Sequence, residues 1–169
     1  MTIFTIMGVA GSGKSTIGQH IARSLSLPFV EGDDFHTPQS RARMAAGMPL
    51  TSEDRRPWIE AIVTALNQRE GSCVLACSAL DPTVRSWLVD GLRDACVFLV
   101  LVAPRAPLEA RLRARTGHFV GPELLTSQLE AFEPPADALT FAANEVPEAL
   151  CARIVSALRE RGWAGPTRE

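Results

Sequence analysis

The run Gly8-Val9-Ala10-Gly11-Ser12-Gly13-Lys14-Ser15-Thr16 restricts the fold of this chain more than any other stretch. It satisfies the pattern G-x-x-x-x-G-K-[ST], whose glycines let backbone N–H groups approach phosphates and whose lysine reaches the β- and γ-oxygens as a compact charge on a thin stem. Such a loop works where a strand leads in and a helix leads out, because the helix N-terminus supplies unpaired N–H groups and the positive end of the dipole. Both flanks are present. Thr2-Ile3-Phe4-Thr5-Ile6-Met7 is a short apolar, β-branched run suited to a buried parallel strand, and Ile17, Ile21 and Leu25 recur at helical spacing until Pro28 stops the pattern. Lys14 is also the only lysine of the chain, all the other Lys+Arg positions being arginine. A position that keeps an ammonium in so arginine-biased a sequence is one where a planar guanidinium would not serve. The loop from Gly8 to Thr16 is therefore expected to hold a nucleoside triphosphate, with the Ser15 hydroxyl on Mg²⁺.

Beyond the loop, strand-like and helix-like segments alternate, which indicates a parallel sheet covered on both faces. A short strand is expected over 27–31, a helix over 40–46 ending at Gly47, and a longer helix over 53–69 with Trp58, Ile59, Ile62, Val63 and Leu66 on one face. Pro57 falls in the first turn of that helix, where proline is tolerated. Strands over 73–77 and 96–102 follow, separated by a helix over 82–92; the second of these strands reads as the most central. A helix over 107–115, a polar turn at 116–118, a helix near 122–132, a weak strand over 139–143 and a last helix over 147–161 complete the pattern. The expectation is an α/β protein: three layers, α/β/α, around a mostly parallel five-stranded sheet, forming one domain over 1–169 with a helical lid at approximately 111–132.

Composition narrows the function. A net charge of −2 argues against a nucleic-acid-binding surface, which is usually strongly basic. No stretch approaches the length of apolar chain that spans a membrane, and the N-terminus enters a strand without the pattern of a signal peptide, so a cytoplasmic protein with no membrane partner is expected. Cys73, Cys77, Cys96 and Cys151 lack C-x-x-C spacing and read as free thiols rather than a metal or disulfide set.

The next question is what receives the phosphate. A guanine-reading N-K-x-D needs a second lysine, which the chain lacks, so the usual GTPase is excluded. The second strand instead ends in Glu31-Gly32-Asp33-Asp34-Phe35-His36, which puts carboxylates at the strand edge where ligands bind in open α/β sheets. An alcohol that attacks a γ-phosphoryl group must lose a proton, and Asp33 is the candidate acceptor for it. The competing reading is that Asp33 and Asp34 only cap the turn or the following helix. His36 either contacts substrate or hydrogen-bonds within its loop.

A set of further segments carries a family resemblance. Gly32-Asp33-Asp34-Phe35-His36, Arg43-Met44-Ala45-Ala46-Gly47-Met48-Pro49-Leu50, Glu53-Asp54-Arg55-Arg56-Pro57-Trp58, Cys77-Ser78-Ala79-Leu80, Arg115-Thr116-Gly117-His118-Phe119, Ser127-Gln128-Leu129-Glu130 and Glu133-Pro134-Pro135 follow the phosphate loop in that order. Together they resemble the bacterial and eukaryotic gluconokinase family. The resemblance implies ATP-dependent phosphorylation of D-gluconate at its 6-hydroxyl on a P-loop kinase fold similar to that of shikimate and nucleoside-monophosphate kinases, commonly as a homodimer. Three positions depart from the family pattern: Ser40 stands for an asparagine, Arg43 for a lysine, and Asp81 for the lysine that usually follows C-S-A-L. The last reverses a charge near the expected acceptor pocket. Other small acceptors, such as shikimate, a nucleoside monophosphate or a different sugar acid, and a nucleotide-binding module without transfer, are the alternatives to be separated.

Residue roles follow from this likeness together with the chemistry. An anionic sugar acid calls for a bidentate cation, and Arg55, which the resemblance places at the substrate end, and Arg85 are the candidates; the alternative for each is a surface arginine at a helix end. Ser78, after the third expected strand, can support Mg²⁺ through water. Arg111 and Arg115 are i,i+4 neighbours whose repulsion an ATP phosphate would relieve, unless they are merely solvated near a helix C-terminus. Gly117 is the expected hinge, and His118 reaches into the closed site, from which lid closure excludes water. Lys14, Asp33 and Arg115 thus form the expected catalytic set, with ATP and Mg²⁺ as cofactors and gluconate as acceptor.

Overall fold

A computed structural model of the chain describes residues 1–114 and 121–163. Strands β1 (Thr2–Met7), β2 (Phe29–Glu31), β3 (Cys73–Ala76), β4 (Ala95–Val102) and β5 (Leu139–Ala142) form one sheet in the order β2-β3-β1-β4-β5, and every pairing is parallel. The helices are α1 (Lys14–Leu25), α2 (Pro38–Ala45), α3 (Ser52–Asn67), α4 (Pro82–Gly91), α5 (Arg105–Ala114), α6 (Leu125–Ala131) and α7 (Pro147–Glu160), with 3₁₀ turns at Gly32–Phe35 and Pro122–Leu124. The chain winds from β1 to one edge and then crosses back to the other, which opens a crevice at the C-terminal ends of the strands beside β1.

Strand β1 shows why the sheet is buried on both sides. Its alternate residues Phe4 and Ile6 join a cluster with Ile17 and Ile21 of α1 and Ile154 and Leu158 of α7. Ile3 and Met7 point the other way, into a cluster with Trp58, Ile59 and Ile62 of α3 and Leu88 of α4. Phe4, Ile6, Met7, Ile21, Ile59, Ile62 and Leu88 are all essentially solvent-free. At roughly 1.5–3 kcal/mol for each such side chain, these contacts outweigh any local propensity and fix α1, and with it the loop before it, against the sheet. A third cluster, in which Val9, Ala10, Leu108, Leu112 and Leu125 meet, ties α5 and α6 to the underside of the phosphate loop.

The expected elements are all present, with shifts at their ends that have local causes. Thr51 accepts a hydrogen bond from the Asp54 N–H while Asp54 reaches back to the Thr51 backbone; this capping box starts α3 at Ser52. Pro57 therefore lies in the second turn of α3 and not the first, where its missing N–H leaves one carbonyl of the helix without its usual donor. Helix α5 starts two residues earlier than expected, at Arg105, and the helix expected near 122–132 divides into a 3₁₀ turn and α6. Thr37 caps α2 through the Ser40 N–H, and Pro38, Pro82 and Pro147 each stand at the start of a helix, where proline costs nothing. Of the expected lid, Arg111 and α6 are described; Arg115, Gly117 and His118 lie outside the described residues. No helix among the described residues is long and apolar enough to cross a membrane.

Candidate active site

β1 delivers the chain into the loop at Gly8, where φ is +151° and an added Cβ would lie 2.7 Å from the Leu101 carbonyl oxygen and 2.8 Å from Ser12 Oγ. Only glycine fits there. Gly13 then serves as the N-cap of α1 and offers no side-chain cap, so the first N–H groups of the helix face the cleft without a side-chain acceptor. Ala10, Gly11, Gly13, Lys14, Ser15 and Thr16 line a cavity of about 230 Å³. Gly8, Val9 and Ser12 lie beneath this lining and shape it; the Ser12 N–H donates to the Val9 carbonyl. Lys14 Nζ is folded back over the loop, 3.2 Å from the Val9 carbonyl oxygen. The buried Ser12 hydroxyl has no hydrogen-bond partner among the described residues. An uncapped helix N-terminus, an unpaired buried hydroxyl and an adjacent ammonium together fit a triphosphate.

The same cavity receives Asp33 from the 3₁₀ turn after β2, Ser78 from the loop after β3 and Arg111 from α5. Arg111 donates to the carbonyls of Gly11 and Ala143, which lays its guanidinium across the phosphate loop from the far side. Asp34, in the same turn as Asp33, is exposed. Arg41 holds this turn in place by donating to the carbonyls of Asp33 and His36. Gly32 gives the turn its close seat: a Cβ there would lie 2.5 Å from the Ala76 carbonyl oxygen. Trp58 donates from Nε1 to the Gly32 carbonyl at 2.7 Å and stacks on the His36 ring, with centroids 4.3 Å apart. Burial pushes the His36 imidazole down to about 4, against the opposing pull of the Asp33 carboxylate 3.8 Å away. His36 is thus a neutral ring at the junction of two cavities.

The second cavity adjoins the first through His36, Met44, Ser78 and Gln128, and it contains Arg55 and Asp81. Arg55 Nη1 donates to Asp81 Oδ2 at 2.7 Å. Arg85 is not among the residues lining either cavity. It is buried and donates to the carbonyls of Ala79 and Leu80 at 3.0 Å each, beneath a turn in which Ala79 has a left-handed φ of +42°. Arg85 therefore holds a strained turn, and of the two candidate clamp arginines Arg55 is the one that lines the second cavity.

Three contributors escaped the sequence reading. Glu31, at the end of β2, hydrogen-bonds the Ser15 hydroxyl, and its carboxyl is held above the usual range first by burial and then by the neighbouring Asp33. Ser15 and Glu31 supply the hard oxygen donors that suit Mg²⁺. The detectable signal was a carboxylate at the C-terminal end of a strand. Gln128 accepts the Ala10 N–H at 2.7 Å and lines both cavities, a long-range contact that no local pattern announces, and Arg41 pins the Asp33 turn from the following helix.

A phosphate loop at a helix N-terminus, a carboxylate across the cleft from its lysine, and an adjoining pocket with an arginine define a P-loop kinase of small molecules. Comparison with known proteins agrees. Residues 3–135 match the family model AAA_33, described as an AAA domain. The chain is 39% identical over 141 residues to a probable gluconokinase of Dictyostelium discoideum, covering 79% of this chain and 70% of that one. Among solved structures, a sugar kinase from Janibacter superposes with TM-score 0.87 at 34% identity over 99% of both chains. A gluconokinase from Sinorhizobium meliloti superposes with TM-score 0.78 at 36% identity, covering 95% of this chain and 97% of that one. The chain belongs to the gluconokinase family.

Proposed function

We propose that this protein transfers the γ-phosphoryl group of ATP to the 6-hydroxyl of D-gluconate, giving 6-phospho-D-gluconate and ADP. The observation that carries the reading is the placement of Asp33, Lys14 and Ser15 around one cavity that opens into the pocket holding Arg55. The backbone from Ala10 to Thr16 and the N-terminus of α1 bind the phosphates, and Lys14 follows the γ-group as its charge shifts toward the leaving oxygen. Asp33 accepts the proton of the attacking hydroxyl, while Arg41 and Trp58 hold the turn that presents it. Ser15 and Glu31 would hold Mg²⁺, with Ser78 acting through water, and the ion would supply positive charge against that developing on the phosphates. Arg55 takes the carboxylate of the acid at the far end of the acceptor. Arg111 faces the phosphates, and Arg115 and His118 complete the closed lid in this reading.

The reading extends to a single domain working in the cytoplasm, supported by free thiols at Cys73, Cys77 and Cys151 buried in the core. It also extends to a homodimer, supported by the family resemblance; light scattering at twice the mass of one chain is the expected result. A coupled ADP-release assay over a panel of acceptors tests the substrate. Gluconate is expected to give the highest kcat/KM, and equal or greater efficiency with shikimate would contradict the assignment.

A further inference from the structure

Asp81 has no role in the reaction described above, yet its carboxylate reaches into the acceptor pocket. Both of its oxygens are engaged. Oδ1 accepts the Val84 N–H at 3.0 Å and so caps α4, which fixes the carboxylate on a rigid element. Oδ2 accepts from Arg55 Nη1 at 2.7 Å, with both side chains about one quarter exposed. Arg55 comes from the second turn of α3, whose start is set by its capping box, so the pair joins two rigid helices across the pocket. The Nε–Nη2 edge of Arg55 carries no hydrogen bond to any described residue, and a guanidinium edge of that kind suits a bidentate carboxylate. Among the described residues lining this cavity, Arg55 and Asp81 are the only arginine, lysine, aspartate or glutamate. These described lining residues are together formally neutral, although the proposed ligand is an anion.

We infer, on the basis of the gluconate reading, that Asp81 is a specificity-determining residue that moderates the preference of the pocket for an anionic acceptor and accepts a hydrogen bond from its hydroxyls. The acceptor's carboxylate and Asp81 flank the same guanidinium, so two anions share one cation and their repulsion offsets part of the attraction that Arg55 provides. A hydroxyl beside the acceptor's carboxylate relieves that repulsion by donating to Asp81, whereas a bare acid cannot. Asp81 also pairs the half-buried Arg55 guanidinium before the acceptor arrives.

The test compares kcat/KM for D-gluconate with that for D-glucitol, the neutral polyol of the same hydroxyl pattern, in the parent protein and in Asp81→Asn and Asp81→Ser. Both replacements are good N-caps, so α4 keeps its start while the charge is removed. The ratio of gluconate to glucitol efficiency is expected to rise by roughly tenfold in both variants, the size of a like-charge term between partly exposed groups. A purely structural role would lower both efficiencies together and leave the ratio alone. An unchanged ratio in whichever variant folds would overturn the inference while leaving the gluconate reading intact. A parent protein that phosphorylates no gluconate would overturn both.

Discussion

In the proposed reaction Lys14 and Asp33 divide the chemistry between a cation that follows the phosphoryl group and a base that takes the proton, and each makes a separate prediction. Asp33→Asn keeps the shape of the turn, because Arg41 binds the Asp33 backbone carbonyl, which the substitution leaves in place. Its kcat is expected to fall by about 10²- to 10⁴-fold with little change in nucleotide affinity, read by steady-state kinetics and calorimetry. Lys14→Arg should still bind nucleotide but transfer poorly, since a planar fork cannot follow the point-charge path of an ammonium; full activity in that variant would refute the assignment. His36 adds a pH signature. Its folded value is lowered from 6.5 to about 4, so the unfolded chain binds more protons between these limits. Stability is therefore intact above about pH 6.5 and declines as pH falls toward 4, by up to about 3 kcal/mol. Urea unfolding across that range should show the slope in the parent and lose it in His36→Gln.

At the scale of elements, the site depends on how tightly the Asp33 turn sits on β3. Gly32→Ala would drive a Cβ into the Ala76 carbonyl oxygen at 2.5 Å, a contact with backbone that cannot swing aside. A loss of about 1–3 kcal/mol in stability is expected from such overpacking, together with a fall in kcat as Asp33 is displaced. Parallel measurements of urea midpoint and turnover check both, and a Gly32→Ala variant with normal kcat would separate the turn's seat from catalysis. The phosphate loop and the Asp33 turn were legible in the sequence because each is a local pattern: glycines at fixed spacing, a strand before, a helix or turn after. The capping box of α3 is equally local, and its Thr51–Asp54 pair sets the helix start one residue before the expected position. The sequence setting of Arg85, a cation early in a helix at the ligand edge, is the same whether it faces a ligand or, as one of its nitrogens does, two backbone carbonyls. Glu31, Gln128 and Arg41 act through contacts that only the folded chain brings together.

For the whole molecule, two apolar layers hold one face of the sheet against α1 and α7 and the other against α3 and α4, and the crevice at its edge is left to polar groups. Nucleotide binding should stabilise this arrangement as a unit. At a hundred times its Kd, ATP with Mg²⁺ adds about 2.7 kcal/mol, or a rise of roughly 5–10 °C in Tm for a domain of this size, read by calorimetry. The chemistry itself is read most directly from the product. Incubation with ATP, Mg²⁺ and D-gluconate, followed by ³¹P NMR without proton decoupling, should show one new phosphomonoester signal split by the two protons of a methylene, as phosphate on the 6-hydroxyl requires. A signal split by a single proton, or no new ester from gluconate while shikimate gives one, would contradict it.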